Sequence, residues 1–334
     1  MTLNIGVIGA GFMGDVHLAC WEDIESTAIA GIVEKEGDRR KEAVEDYGVD
    51  GFSSLEELFA AKDVDAIDIC VPTPYHVELV KKSLEGVGSV ICEKPVARTL
   101  SGAREIKQLT RKREADVYVG HVLRFFPEYV RIRDRILDGA VGKVGVVRTF
   151  RGGAPPATRA GWYMDLEKSG GLILDMLIHD FDWLLWTIGD IESVYTRGRS
   201  FKSGYRDFAL INLGFASGGM AHVEGSWAHP TDFPFSTGLE VAGDDGMIEF
   251  DSAVATPVTV YTKSSAEKEG TGAPKSPLAK NPWCSQLEHF AGCILEGKEP
   301  RVTLEDSIRA LRVSLASLES LRQDEPIDVG DYDG

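Results

Sequence analysis

The sequence is poor in cysteine, in long apolar runs and in positive charge. Its five cysteines, Cys20, Cys70, Cys92, Cys284 and Cys293, are scattered and include no Cys-x-x-Cys spacing. That pattern argues against a disulfide framework and against a zinc site, and predicts reduced thiols packed as small hydrophobes. No apolar run reaches the roughly 18 residues that a membrane-spanning helix needs, so no membrane partner is expected. The opening Met1-Thr2-Leu3-Asn4 has no basic cluster and no twin arginine, so no export signal is expected and the expected location is the cytoplasm. Lys and Arg total 36 against 53 Asp and Glu, a net charge of −17. A surface of that sign serves solubility and repels phosphate backbones, which argues against nucleic acid as a partner.

The apolar content is that of an ordinary globular protein, enough for two cores, and 334 residues suggest two domains. Through residue 120, apolar strands alternate with helical stretches. The strands are Ile5–Ile8, Thr27–Val33, Ala66–Val71, Ser89–Cys92 and Val117–Gly120. Strands separated by helices require crossovers and predict a parallel sheet. Beyond Gly120 the pattern changes. A long apolar helix is expected over Leu172–Ile188, and successive strands from Val194 to Tyr261. Ala209–Phe215 and Gly219–Ser226 should form a hairpin through Ala216-Ser217-Gly218. Ser264–Pro282, rich in Lys, Gly, Pro and Ser, reads as a long surface loop. Helices Trp283–Glu296 and Leu304–Leu321 close the chain, the second after a near capping box of Thr303 and Asp306.

Gly9-Ala10-Gly11-Phe12-Met13-Gly14 is a Gly-x-Gly-x-x-Gly at a strand-to-helix turn. The first glycine permits the turn, the second lets a pyrophosphate approach the backbone, and the third lets helix and strand pack closely. The free N–H groups of the helix N-terminus then face the phosphates. Glu34 ends the second strand, where a carboxylate hydrogen-bonds the adenosine ribose and repels a 2′-phosphate. NAD is therefore expected before NADP, although Lys35, Arg39 and Arg40 nearby temper that choice.

Two further segments carry chemistry. Lys94 in Cys92-Glu93-Lys94-Pro95 follows a parallel strand, at the sheet end where ligands of open α/β sheets bind. There it can bring positive charge to a substrate oxygen. In Gly170-Gly171-Leu172-Ile173-Leu174-Asp175-Met176-Leu177-Ile178-His179-Asp180, Asp175 and His179 are four apart and share a helical face, which Asp182 and Trp186 continue. Ionisable groups on so apolar a helix are costly to bury unless paired. Two readings stand: a structural pair that locks the helix, or a general base held by a carboxylate.

Taken in order, these segments resemble the Gfo/Idh/MocA oxidoreductases over almost the whole chain. The resemblance rests on GAGFMGDVH ending at His17, on Pro72-Thr73-Pro74-Tyr75-His76, on Glu93-Lys94-Pro95 and on Gly120-His121. It continues through Arg124-Phe125-Phe126-Pro127, the Gly170–Asp182 segment and the closing helices. It implies an N-terminal Rossmann dinucleotide-binding domain, taken as residues 1–122. A C-terminal α/β domain with a large, mostly antiparallel open sheet follows, taken as 123–334, whose sheet serves subunit contacts in a homodimer or homotetramer. An active site between the domains is implied as well. Lys94, Asp175 and His179 are then the catalytic set. Gly9, Gly11, Phe12, Met13, Gly14, Glu34, Thr73, His76, Glu93 and Lys94 line the NAD, with no metal. The implied activity is hydride transfer between nicotinamide and a hydroxyl of a sugar or cyclic polyol of the inositol type.

Departures from the family matter. Trp162-Tyr163 stands where the family often has an arginine after the tryptophan, so an anion contact there is in doubt. Both aromatics could instead line a sugar pocket. Arg124 could contact substrate or pair with a carboxylate, and Asp182 is taken as substrate-binding. His17, His121, His222, His229 and His289 read as structural. Two other activities occur on this scaffold: NAD-dependent glycoside cleavage and a non-catalytic NAD-binding regulator. The presence of Lys94 and His179 weighs against the second.

Overall fold

A computed structural model describes residues 2–156, 162–199, 208–254, 258–262 and 280–334. All but the last three residues of the expected 264–282 loop lie outside the described residues. The chain divides into two compact units, Met1–Phe125 with Lys280–Ile308, and Phe126–Ala279 with Arg309–Gly334.

The first unit contains strands β1 (Leu3–Ile8), β2 (Thr27–Val33), β3 (Gly51–Phe52), β4 (Ala66–Ile69), β5 (Ser89–Cys92) and β6 (Asp116–Val119). Between them run helices α1 (Phe12–Asp23), α2 (Gly37–Tyr47), α3 (Leu55–Ala61), α4 (His76–Ser83) and α5 (Leu100–Arg113). The strands form one parallel sheet in the order β3-β2-β1-β4-β5-β6. Its order reverses between β1 and β4, the place where open α/β sheets bind dinucleotides. Every residue of β4 and β5 is buried, as expected of strands covered on both faces.

The second unit contains α6 (Pro127–Leu137), α7 (Leu166–Ser169), α8 (Gly171–Asp175) and α9 (Ile178–Thr187). Its strands are β7 (Val144–Gly152), β8 (Ile191–Arg199), β9 (Phe208–Phe215), β10 (Met220–Ser226), β11 (Ser236–Gly243), β12 (Gly246–Asp251), β13 (Val258–Thr262) and β14 (Ile327–Asp328). They form a sheet ordered β13-β12-β11-β7-β10-β9-β8-β14. Only β7 with β10 is parallel; the remaining pairs are antiparallel. The β9–β10 hairpin turns at Gly218, with φ +86°. Ala209, Ile211, Leu213 and Phe215 face the core on β9, while their neighbours are open. This alternation marks a sheet covered on one face.

The long helix expected over Leu172–Ile188 is two helices, α8 and α9, separated at Met176 and Leu177. The Leu177 N–H bonds to Leu172 O, five residues back, which widens the turn as a π-bulge does. No Gly or Pro marks the break. Leu177 packs on the bare backbone of Gly225 in β10, where an added Cβ would lie 2.8 Å from Leu177 Cδ1.

Helix α10 (Pro282–Glu296), which lies beyond the boundary expected after residue 122, packs inside the first unit. Leu287, Phe290 and Ala291 join Leu18, Trp21 and Ile5 in one buried cluster. Cys20 of α1 and Cys284 of α10 are joined there by a disulfide. This corrects the expectation of five reduced thiols; Cys70, Cys92 and Cys293 are free and buried. The two partners are 264 residues apart, so spacing carried no sign of the bond. Helix α11 (Leu304–Gln323) opens with the expected box: Thr303 Oγ1 accepts the Asp306 N–H at 3.1 Å and the Asp306 carboxylate accepts the Thr303 N–H at 3.0 Å.

Candidate active site

In the first unit, the glycine turn after β1 has a separate reason for each glycine. Gly9 has φ +95°, and a Cβ on Gly14 would lie 1.9 Å from Gly9 O, so the chain itself demands both. Gly11 differs: the nearest neighbour of its Cβ would be Arg39 Nη1 at 4.0 Å. Nothing in the fold forbids a side chain there, which fits a position kept bare for a ligand. Gly11 caps α1 without a side-chain acceptor, and the first amides of that helix, at Phe12, Met13 and Gly14, have no acceptor within the helix, the arrangement that suits an anion. Phe12 is exposed.

Glu34 follows β2 and reaches back to this turn. Its Oε2 accepts the Ala10 N–H at 3.0 Å and its Oε1 the Glu36 N–H at 2.9 Å. Carboxylate oxygens retain further lone pairs for ribose hydroxyls. The neighbouring arginines are engaged: Arg39 pairs with Glu36 at 3.1 Å and stands 3.9 Å from Glu34, and Arg40 donates to the Glu34 carbonyl. These residues fit NAD.

At the ends of β4 and β5, Thr73 is buried in a short turn, Thr73–Tyr75. His76 is buried too, and both its ring nitrogens meet backbone carbonyls, Nδ1 at Pro95 O and Nε2 at Val71 O, each at 2.8 Å. It braces the loops after β4 and β5. Burial pushes its pKa below the ordinary histidine value, against the pull of those carbonyls. Glu93 is buried, and its Oε2 accepts the Lys94 N–H at 3.1 Å. Across residues 89–97 only Lys94 is partly exposed.

Arg124, read as either a substrate contact or a carboxylate's partner, is 2% exposed and is the second. Its Nη1 donates to Arg301 O at 2.8 Å and pairs with Asp306 at 3.2 Å. Burial opposes ionisation of Asp306, but Arg124 and the Thr303 donors outweigh it and hold that carboxyl below its ordinary range.

In the second unit, Gly170 and Gly171 have φ +74° and +65° and turn the chain from α7 into α8. The Ser169 hydroxyl donates to Tyr163 O at 2.7 Å and accepts the Gly171 N–H at 2.8 Å. It thereby ties the Trp162-Tyr163 segment to the start of α8. The Trp162 and Tyr163 rings stack, with centroids 4.1 Å apart. From Ser169 to Leu185 every residue is buried except Asp175 and His179. The break after Asp175 leaves both at the surface of an otherwise sealed segment. Asp182 is fully buried in α9.

Sequence reasoning missed the clamp beside His179. Arg151 at the end of β7 donates from Nε to Asp180 Oδ2 at 2.8 Å and from Nη2 to the Tyr129 hydroxyl at 3.3 Å. Arg151 and Asp180 are 5% and 2% exposed. Burial disfavours the guanidinium, but Asp180 and Tyr129 more than compensate and raise its pKa. The available sign was an arginine in an apolar strand, Val144–Gly152.

Two family descriptions match the chain: the oxidoreductase family NAD-binding Rossmann fold over residues 3–121, and the GFO/IDH/MocA C-terminal domain over 129–249. A 1,5-anhydro-D-fructose reductase of Ensifer adhaerens is 32% identical over 273 residues, 79% of each chain. A myo-inositol 2-dehydrogenase of Thermotoga maritima is 28% identical over 335 residues, 96% of this chain and 97% of that protein. The fold is shared with an oxidoreductase from Agrobacterium radiobacter solved with NAD+, L-tartaric acid and magnesium, at TM-score 0.87, 22% identity and 99% coverage of both chains. The glycine turn, the Glu34 carboxylate and these likenesses together make the chain a member of the GFO/IDH/MocA oxidoreductase family, with an N-terminal NAD-binding Rossmann domain.

Proposed function

We propose that this NAD-dependent oxidoreductase acts on a carbinol of a sugar or cyclic polyol, and that Lys94, Asp175 and His179 carry the reaction. The observation behind the assignment is exposure. Two buried segments, 89–97 and 169–185, open only at these three residues. The named activities of the inositol and anhydrofructose relatives support the substrate class.

Bound NAD supplies the acceptor for the electron pair that leaves the carbinol carbon. His179 takes the hydroxyl proton on its imidazole, and Asp175 orients that ring and stabilises its charged form. The Lys94 ammonium stabilises the developing alkoxide, an interaction that strengthens where water is excluded. Trp162 and Tyr163 offer flat apolar surface to the C–H faces of a ring substrate. Thr73 and His76 shape the nicotinamide side by holding the loops after β4 and β5. The enzyme works in the cytoplasm as a homodimer or homotetramer through the open face of its eight-stranded sheet, where Met220 is 58% exposed.

The test is NADH formation with a panel of cyclitols, aldoses and sugar acids, with NADP in parallel. An NAD-linked signal on one of them is expected. Silence across the panel with NAD binding intact overturns the reading in favour of glycoside cleavage or a regulator.

A further inference from the structure

His17 lies three residues past the glycine turn and is fully buried. Its Nδ1 stands 2.8 Å from Asp68 Oδ2 and its Nε2 stands 3.2 Å from Glu93 Oε1. A neutral imidazole carries one N–H, which the Asp68 contact uses; Nε2 and Glu93 Oε1 are buried without a hydrogen-bond partner among the described residues, so what draws them together is charge, which the imidazole has only when protonated. Asp68 on β4 is fully buried and also accepts the Trp21 indole N–H at 2.7 Å. The chain of contacts runs from Trp21 through Asp68 and His17 to Glu93, whose other oxygen holds the backbone N–H of Lys94.

We propose that His17 is a positioning residue: anchored by Asp68, it fixes the Glu93 carboxylate and through it the Glu93-Lys94-Pro95 turn from which Lys94 reaches the substrate. This rests on the catalytic reading of Lys94. His17, Asp68 and Cys70 also bring ligand-type atoms within 4.8 Å of one another, but a proton suits the group better than a metal. The 2.8 Å between Nδ1 and Oδ2 is a hydrogen-bond length, whereas tetrahedral zinc bonds of about 2.0–2.1 Å set ligands about 3.3 Å apart.

The electrostatics agree. Burial penalises a charged imidazole, yet its partners outweigh that and raise the His17 pKa well above the ordinary value. Burial and Asp68 push the Cys70 thiol up to about 12, so at neutral pH the thiol is uncharged and Asp68 supplies the attraction. Burial would raise Glu93, but His17 and then Lys94 outweigh it and lower it. Gly120 borders the same carboxylate, and a Cβ there would lie 2.9 Å from Glu93 Oε1. Gly120→Ala therefore displaces Glu93 while leaving the imidazole in place.

The experiment is a double-mutant cycle of His17→Gln and Lys94→Ala. It reads kcat on a substrate from the panel, with NAD affinity measured separately by fluorescence titration. His17→Gln should lower kcat about 100-fold, the scale of a roughly 1 Å misplacement, with NAD affinity unchanged within about threefold. In the Lys94→Ala background it should cost no more than about threefold, because the two act as one unit. A loss that multiplies with that of Lys94→Ala, or no loss, overturns the proposal. Unchanged turnover of Lys94→Ala overturns the catalytic reading instead. If His17→Gln does not fold, Gly120→Ala takes its place in the cycle with the same expectations for kcat. In the wild type, nitrogen NMR of His17 should show both ring nitrogens protonated at neutral pH, where an ordinary histidine is mostly neutral; a single protonated nitrogen overturns the proposal.

Discussion

Residues 89–97 run off β5 in a sheet buried on both faces, and Lys94 emerges there from packing that includes a histidine held between two carboxylates. Residues 169–185 form broken helices over a sheet whose strands alternate between a buried and an open face, and His179 emerges beside a bulge. The first arrangement holds its reactive group through the backbone, with Glu93 fastened to the Lys94 amide. The second holds its group through side chains: Leu177 set on Gly225, and Asp180 clamped by Arg151. Tightness thus comes from continuous burial in one unit and from a few anchoring contacts in the other.

The largest effect should separate chemistry from nucleotide binding. His179→Ala should lower kcat roughly 10²–10⁴-fold and leave NAD affinity unchanged, measured by steady-state kinetics and titration. An equal loss of NAD affinity would break the division drawn above. Next is the clamp. Asp180→Asn leaves Arg151 buried without its counter-charge and should cost about 3–5 kcal/mol of stability in urea unfolding. Little change would mean that the bulge needs no anchor.

The disulfide sharpens the same comparison. Cys284→Ser, with the remaining cysteines retained, should destabilise the protein by about 2–4 kcal/mol, with turnover at 25 °C preserved. The smallest effect tests the glycine turn. Gly11→Ala has room in the fold, so unfolding should shift by less than about 0.5 kcal/mol, while NAD binding weakens about tenfold or more. Gly14→Ala, with its Cβ 1.9 Å from a carbonyl oxygen, should lose stability and binding together.

Much of this was legible in the sequence. Alternating strands and helices gave the parallel sheet, and the three-glycine turn pointed to the NAD-binding Rossmann domain. A lysine after β5 and an Asp–His pair in an apolar run supplied the groups proposed as reactive. What escaped reading depends on partners distant in the chain. Nothing between Leu172 and Ile188 signals a break, and Gly225, on which Leu177 packs beside it, lies far along the chain. Cys20 and Cys284 look unrelated until α10 lies on α1. His17 looks like any core histidine until β4 and β5 bring Asp68 and Glu93 to its two nitrogens. The pairing of Arg124 with Asp306 likewise depends on a residue 182 positions away.

The bond between Cys20 and Cys284 closes a covalent ring that contains most of the polypeptide. A protease that cuts once anywhere inside that ring, including the 263–279 stretch, yields two pieces that still travel as one molecule. On a denaturing gel without reductant such a nicked protein keeps its full mass, and only added thiol separates the fragments.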